Sequence, residues 1–323
     1  MTSVKSILIK FQSIIALMLL CVVLTIMSDK FLTVENSWNI MRQISINVCI
    51  SVGMTMVILT RGIDLSVGSV LAFSGAVTAG LLKYGLSWPM ANVHIGFTVL
   101  GALLIGLFVG GALGAFNGWM ITRFRVPAFV ATLAMLTIAR GGTMLWTGGF
   151  PITGLGKSFG FIGTGWFLGI PMPVWITAII VAAAVLVTKK TVFGRHIYAV
   201  GGNESAARLS GINIEKIKIW VYLIAGALAA VGGIILTSRL DSAQPNAGLS
   251  YELDSIAAVV IGGTSLSGGR GSILGTVQGA LIIGVLNSGL VLLNVSPFWQ
   301  QIVKGTVILL AVILDRINHP NEN

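Results

Sequence analysis

The chain has 323 residues, 55% of them hydrophobic and only 9% charged, with a mean hydropathy of +0.94. Ordinary soluble domains carry roughly a quarter charged residues, so this composition excludes a soluble globular enzyme and indicates an all-α polytopic membrane protein. The net charge of +10 is then a matter of topology rather than a nucleic-acid footprint, and the two cysteines, Cys21 and Cys49, both inside apolar runs, provide neither a disulfide framework nor a zinc site.

At about 20 residues per crossing, spans are expected near 11–28, 40–60, 94–121, 126–147, 172–188, 217–237, 272–294 and 297–314. Two further segments, 64–84 and the glycine-rich 250–270, are shorter or broken. Ten spans is the expected number, with eight as the alternative, in one transmembrane domain covering 1–323. Lys5 and Lys10 precede the first apolar run as in a leader peptide. That run ends Thr25-Ile26-Met27-Ser28-Asp29 without a small-x-small cleavage site, so 1–28 is expected to remain as the first span.

With the N-terminus inside, alternation through ten spans brings Lys5, Lys10, Arg61, Arg123, Arg125, Lys189, Lys190, Arg195, Arg208, Lys216, Lys218, Arg270 and Arg316 to the cytoplasmic side. Lys30, Arg42, Lys83, Lys157 and Arg239 fall outside. The positive-inside rule therefore puts both termini in the cytoplasm.

Residues 114–129, GAFNGWMITRFRVPAF, and 284–299, GVLNSGLVLLNVSPFW, share Gly, Asn and Pro at a constant offset of 170 residues. The turn of the first copy carries Arg123 and Arg125, whereas the matching turn is uncharged. Related segments facing opposite sides are what an inverted-topology repeat requires, here spans 2–5 (40–147) and spans 7–10 (217–314), with span 6 at 172–188 between them. Glycines recur every four residues at 106, 110, 114 and 118 and at 271, 275 and 279, each set offering a smooth face for helix packing.

No catalytic constellation is present. PITGLGKS, residues 151–158, ends like a phosphate-binding loop, but Pro151 stands where the first glycine is required. His94, His196 and His319 have no metal-ligand spacing. Asp64 and Asp254 open apolar segments. Each fits a helix cap, and each also fits an intramembrane proton relay. They lie near opposite faces of this topology, which excludes a shared aspartyl dyad. The spans otherwise carry neutral polar groups, notably Asn47, Asn117 and Asn287. Amides of this kind suit a pathway for a neutral polyhydroxylated solute, and they equally suit interhelical hydrogen bonds.

The hydrophilic stretch VGGNESAARLSGINIEKIK, 200–218, lies in the largest cytoplasmic loop, 189–218. Asn203 is a good N-cap and Gly211 a left-handed stop. Glu204 and Arg208 are spaced four apart in the favourable order for a salt bridge. A helix this short is marginal in water and must be held by something else, either anionic lipid or a cytoplasmic partner.

GMTMVILTRGIDLSVGS, GGNESAARLSGINIEKIK, SAQPNAGLSYELDSIAAVVIGGTSLSGGRG and IVKGTVILLAVIL together resemble the ribose-type permease subunits of bacterial ATP-binding-cassette sugar importers, over nearly the whole chain. The resemblance implies an inner-membrane permease, paired with a second copy, that passes ribose or a similar pentose inward by alternating access. It also implies an extracytoplasmic sugar-binding protein and a cytoplasmic ATPase that binds the ATP and magnesium, with no cofactor on this chain. In that family the segment matching Asn203, Glu204, Arg208 and Gly211 is the coupling helix that seats in the ATPase. The rival reading is a proton-coupled secondary transporter using Asp64 or Asp254.

Overall fold

The structure, a computed structural model, describes residues 2–88 and 93–318. Its helices are α1 (Thr2–Met27), α2 (Val34–Leu59), α3 (Val67–Tyr84), α4 (Val99–Arg123), α5 (Ala128–Thr147), α6 (Lys157–Thr164), α7 (Met172–Lys190), α8 (Val192–Gly202), α9 (Glu204–Leu209), α10 (Ile214–Leu240), α11 (Tyr251–Ile261), α12 (Ile273–Leu292) and α13 (Pro297–Asn318). Short antiparallel strand pairs join Leu86–Trp88 to Val93–Ile95, Ile152–Thr153 to Ser242–Ala243, and Trp166–Phe167 to Ile170–Pro171.

Among the described residues, seven helices are long and apolar enough to cross a membrane: α2, α3, α4, α5, α7, α10 and α12. The expected span 250–270 is corrected most clearly. Its helix, α11, stops after 11 residues, about 16 Å of rise against a hydrocarbon core of about 30 Å. The rest is a loop, 262–272, in which Gly263, Gly268 and Gly269 take positive φ, a conformation that breaks a helix and that glycine adopts without steric cost. Similarly, the segment expected at 64–84 becomes helical only at Val67.

Most charged side chains lie at helix ends, and the interior is assembled around α2 and α10, which run antiparallel. Gly53 of α2 faces Ala225 of α10, where an added Cβ would lie 2.8 Å from the Ala225 Cα, while Gly232 lies against Ile46 and Ile50. Close backbone approach of this kind is the reason small residues line membrane helix interfaces. On α4, Gly106 meets Thr78 of α3, whereas Gly110, Gly114 and Gly118 meet Gly226, Tyr222 and Ile219 of α10. Correspondingly, Gly284 of α12 meets Ile44 of α2, and Gly275 and Gly279 meet Gly262 and Ala258 at the end of α11. Gly271, expected in the same helical stripe, precedes α12 and belongs to the loop. Cys49 is buried and Cys21 half-buried, both as free thiols.

Candidate functional site

The hydrophilic segment forms an elbow between two helices. α8 ends at Gly202, and Asn203 begins α9 by accepting the Ala206 amide on its side-chain oxygen at 2.9 Å. α9 has six residues and ends in a Schellman turn: the Gly211 amide donates to Arg208, the Ile212 amide donates to Ala207, and Gly211 has φ 83. Asn213 then caps α10 by accepting the Lys216 amide. Two caps and a left-handed glycine therefore define a helix too short to persist by propensity.

Only Ala207 of α9 is buried, whereas Ser205, Ala206, Arg208 and Leu209 are exposed, Leu209 to 90%. The expected Glu204–Arg208 salt bridge is corrected: the Glu204 carboxylate takes Lys218 Nζ at 2.8 Å instead. Lys218 sits on the first turns of α10, which fold back beside the start of α9, while Arg208 points into the open. A pair whose carboxylate is 40% exposed contributes about 0–1 kcal/mol. Its effect is to fix the angle between α9 and α10.

Three segments meet beside this elbow. The α2 end is closed by a second Schellman turn, with the Arg61 amide donating to Ile58 and the Gly62 amide to Val57. Leu59 offers its carbonyl to the Gly269 amide at 3.0 Å, and Gly201 of α8 approaches the same carbonyl so closely that any Cβ would strike it. The Tyr198 hydroxyl of α8 donates to the Gly271 carbonyl at 3.0 Å, and burial raises its phenol above the ordinary range. Arg61, Gly202 and residues 266–270 line an open cleft of about 560 Å³.

Deeper in the protein, the buried Asp64 accepts the Ser66 amide at 2.9 Å and the Ser66 hydroxyl at 2.6 Å, just ahead of α3. The Asn117 amide of α4 donates to the Ser66 oxygen at 3.0 Å. Asn117, expected to line a pathway, is thus bound to the Asp64 turn. Asn47 on α2 and Asn287 on α12 are also buried, and the side-chain oxygen of each has no hydrogen-bond partner. Such atoms cost about 1–3 kcal/mol apiece if left unsatisfied, and with almost no surface of their own exposed they meet a hydroxyl-bearing guest only where the helices around them part.

Asp254 does not cap α11. It lies in the first turn of that helix, and its carboxylate takes Lys304 Nζ of α13 at 3.0 Å. The apolar context of segment 297–314 gave no hint that Lys304 has a buried acid opposite it. Of the histidines, His94 shares a hydrogen bond with Ser87, His196 lies half-buried on α8, and His319 is outside the described residues.

The family model described as branched-chain amino acid transport system / permease component matches residues 36–312. The chain is 51% identical over 315 residues to the ribose import permease protein of Escherichia coli strain K12, covering 96% of this chain and 95% of that protein. It is 50% identical over 312 residues to the ribose import permease protein of Haemophilus influenzae, covering 95% and 93%. It is 49% identical over 309 residues to that of Bacillus subtilis strain 168, covering 95% and 92%. No solved structure matches the chain.

Proposed function

The chain belongs to the branched-chain amino acid transport system permease family, and from that membership we propose that it is the membrane subunit of an ATP-driven importer carrying ribose or a closely related pentose. The observation that carries this reading is identity near one half, sustained over almost the whole chain, with ribose import permeases of three organisms. The chain itself does no covalent chemistry. ATP and magnesium belong to a cytoplasmic ATPase partner, and a sugar-binding protein delivers the cargo on the opposite side of a bacterial inner membrane.

In this reading the protein crosses the membrane ten times, α1 and α13 adding to the seven apolar helices and the tenth crossing being a broken one, the non-helical chain that follows α10 and then the short α11, and both termini are cytoplasmic. Helices α2–α5 and α10–α13 form two inverted repeats. Three features of the packing support that arrangement. The leading helices α2 and α10 run antiparallel, α4 lies along α10 as α12 lies along α2, and the contact of Gly114 with Tyr222 has its counterpart in Gly284 with Ile44. Two related halves facing opposite ways are suited to alternating access, since rocking one against the other exposes a central site to each side in turn. Asn47 and Asn287, on the facing helices α2 and α12, supply hydroxyl-binding groups along that route.

The capped helix α9 is the coupling helix. Its exposed Arg208 and Leu209 present a charge and an apolar knob to the ATPase, while Asn203, Glu204 and Gly211 hold its shape. Two copies of the permease, one per ATPase, complete the assembly.

The test is uptake of labelled ribose into proteoliposomes containing the permease, its ATPase and its binding protein. Accumulation that requires ATP and survives an uncoupler is expected. Uptake abolished by the uncoupler, and independent of the ATPase, refutes the reading in favour of proton coupling.

A further inference from the structure

We propose that Arg61 is the positioning residue that latches the coupling helix to α2, so that a displacement of α9 moves the central helix pair rather than the surface elbow alone. The proposal rests on the permease reading above and adds to it the route by which force enters the membrane domain.

The last carbonyls of any helix lack intrahelical donors. At the end of α8 two of them are taken by a single side chain: Arg61 Nε donates to Gly201 O and Nη2 to Gly202 O, both at 2.7 Å. A guanidinium is matched to this task, because its rigid fork reaches two acceptors at once and a cation is favoured at a helix C-terminus. Gly202 is followed directly by Asn203, the cap of α9, so the fork grips the chain immediately before the coupling helix begins.

The other end of the latch is equally fixed. Arg61 occupies the left-handed position of the α2 Schellman turn with φ 62, where glycine is the preferred residue. An arginine there gives up conformational ease and gains a side chain aimed along the α8 terminus. The backbone locks around it: Leu59 accepts the Gly269 amide, Gly201 abuts the Leu59 carbonyl, and Gly268 packs on the Arg61 side chain. α2 itself is buried from Ile44 to Leu59 and touches α7, α10, α11 and α12. Movement delivered to its end therefore reaches Asn47 and the facing helix α12.

The substitution Arg61→Gly separates coupling from folding, since glycine suits the left-handed turn and so offsets part of what is lost with the fork and its stem. In proteoliposomes of the full complex, the ratio of ribose carried to ATP hydrolysed is expected to fall about tenfold, while the folded fraction of the variant permease at the assay temperature stays that of wild type. Arg61→Lys, which can still donate to one carbonyl, is expected to recover part of that ratio. A wild-type ratio in Arg61→Gly overturns the latch and leaves the permease reading intact. A lowered thermal midpoint, with the lost transport accounted for by lost folded protein, also overturns it in favour of a purely structural clamp. A wild-type complex that carries no ribose with ATP overturns the permease reading itself.

Discussion

Truncating Leu209 tests the docking role proposed for α9 at its most exposed point. Leu209 closes the helix and is 90% exposed, so almost its whole side chain is available to be buried by a partner. Full burial of a leucine is worth roughly 1.5–3 kcal/mol, and 1.4 kcal/mol corresponds to about tenfold in affinity. Leu209→Ala is therefore expected to weaken binding of the ATPase to the detergent-solubilised permease by about tenfold to hundredfold. The permease's own stability should not change, because alanine keeps the helical preference and no internal packing is removed. Affinity is read by titrating labelled ATPase, with the thermal midpoint measured on the same samples. A dissociation constant within twofold of wild type, at unchanged stability, would mean that α9 does not seat Leu209 against the ATPase.

Removing the Asn203 cap by Asn203→Ala costs about 1 kcal/mol, enough to fray a six-residue helix, and hydrogen exchange at the Ala206 amide should quicken markedly. Unchanged protection there would show that α9 does not depend on its cap. Gly114→Leu forces a side chain into the Tyr222 carbonyl of α10 and should sharply lower the yield of folded protein, whereas Gly141→Ala, with open space around it, should not; equal yields would contradict the tight α4–α10 seam. Lys304→Met leaves the buried Asp254 carboxylate unpaired. Breaking a buried pair costs about 3–5 kcal/mol, reduced here to about 2–3 because Lys304 is 24% exposed. The double variant Asp254→Asn, Lys304→Met should regain most of the lost thermal stability, and no recovery would show that the pair is not the source of the loss. Thr55→Val deletes the 2.7 Å contact between the Thr55 and Thr276 hydroxyls across α2 and α12 and should lower stability by about 1 kcal/mol, checked by thermal denaturation.

Much of the architecture was legible in the sequence because its signals are local. Long apolar runs gave most spans, and the Asn203 and Gly211 caps gave α9 its limits, since caps act within a turn of the residues they serve. The broken segment near 250–270 was visible as a glycine-rich stretch, but how early the helix stops depended on where its glycines adopt positive φ. Asp64 and Ser66 are neighbours in the chain, so a turn there was foreseeable. Asn117, 51 residues from Ser66, carries no sequence mark that would join it to that turn.

The sequence by itself determined that this chain is a membrane protein, that its long apolar runs are mostly helical, and that a capped polar helix precedes α10. Only the tertiary structure decided the partners. Glu204 meets Lys218 rather than Arg208 because the α9–α10 turn folds the next helix back upon it. Asp254 meets Lys304 across a helix interface. Arg61 spans 140 residues of sequence to reach Gly201. Side chains choose such partners by distance and desolvation, and those are set only when the helices have packed.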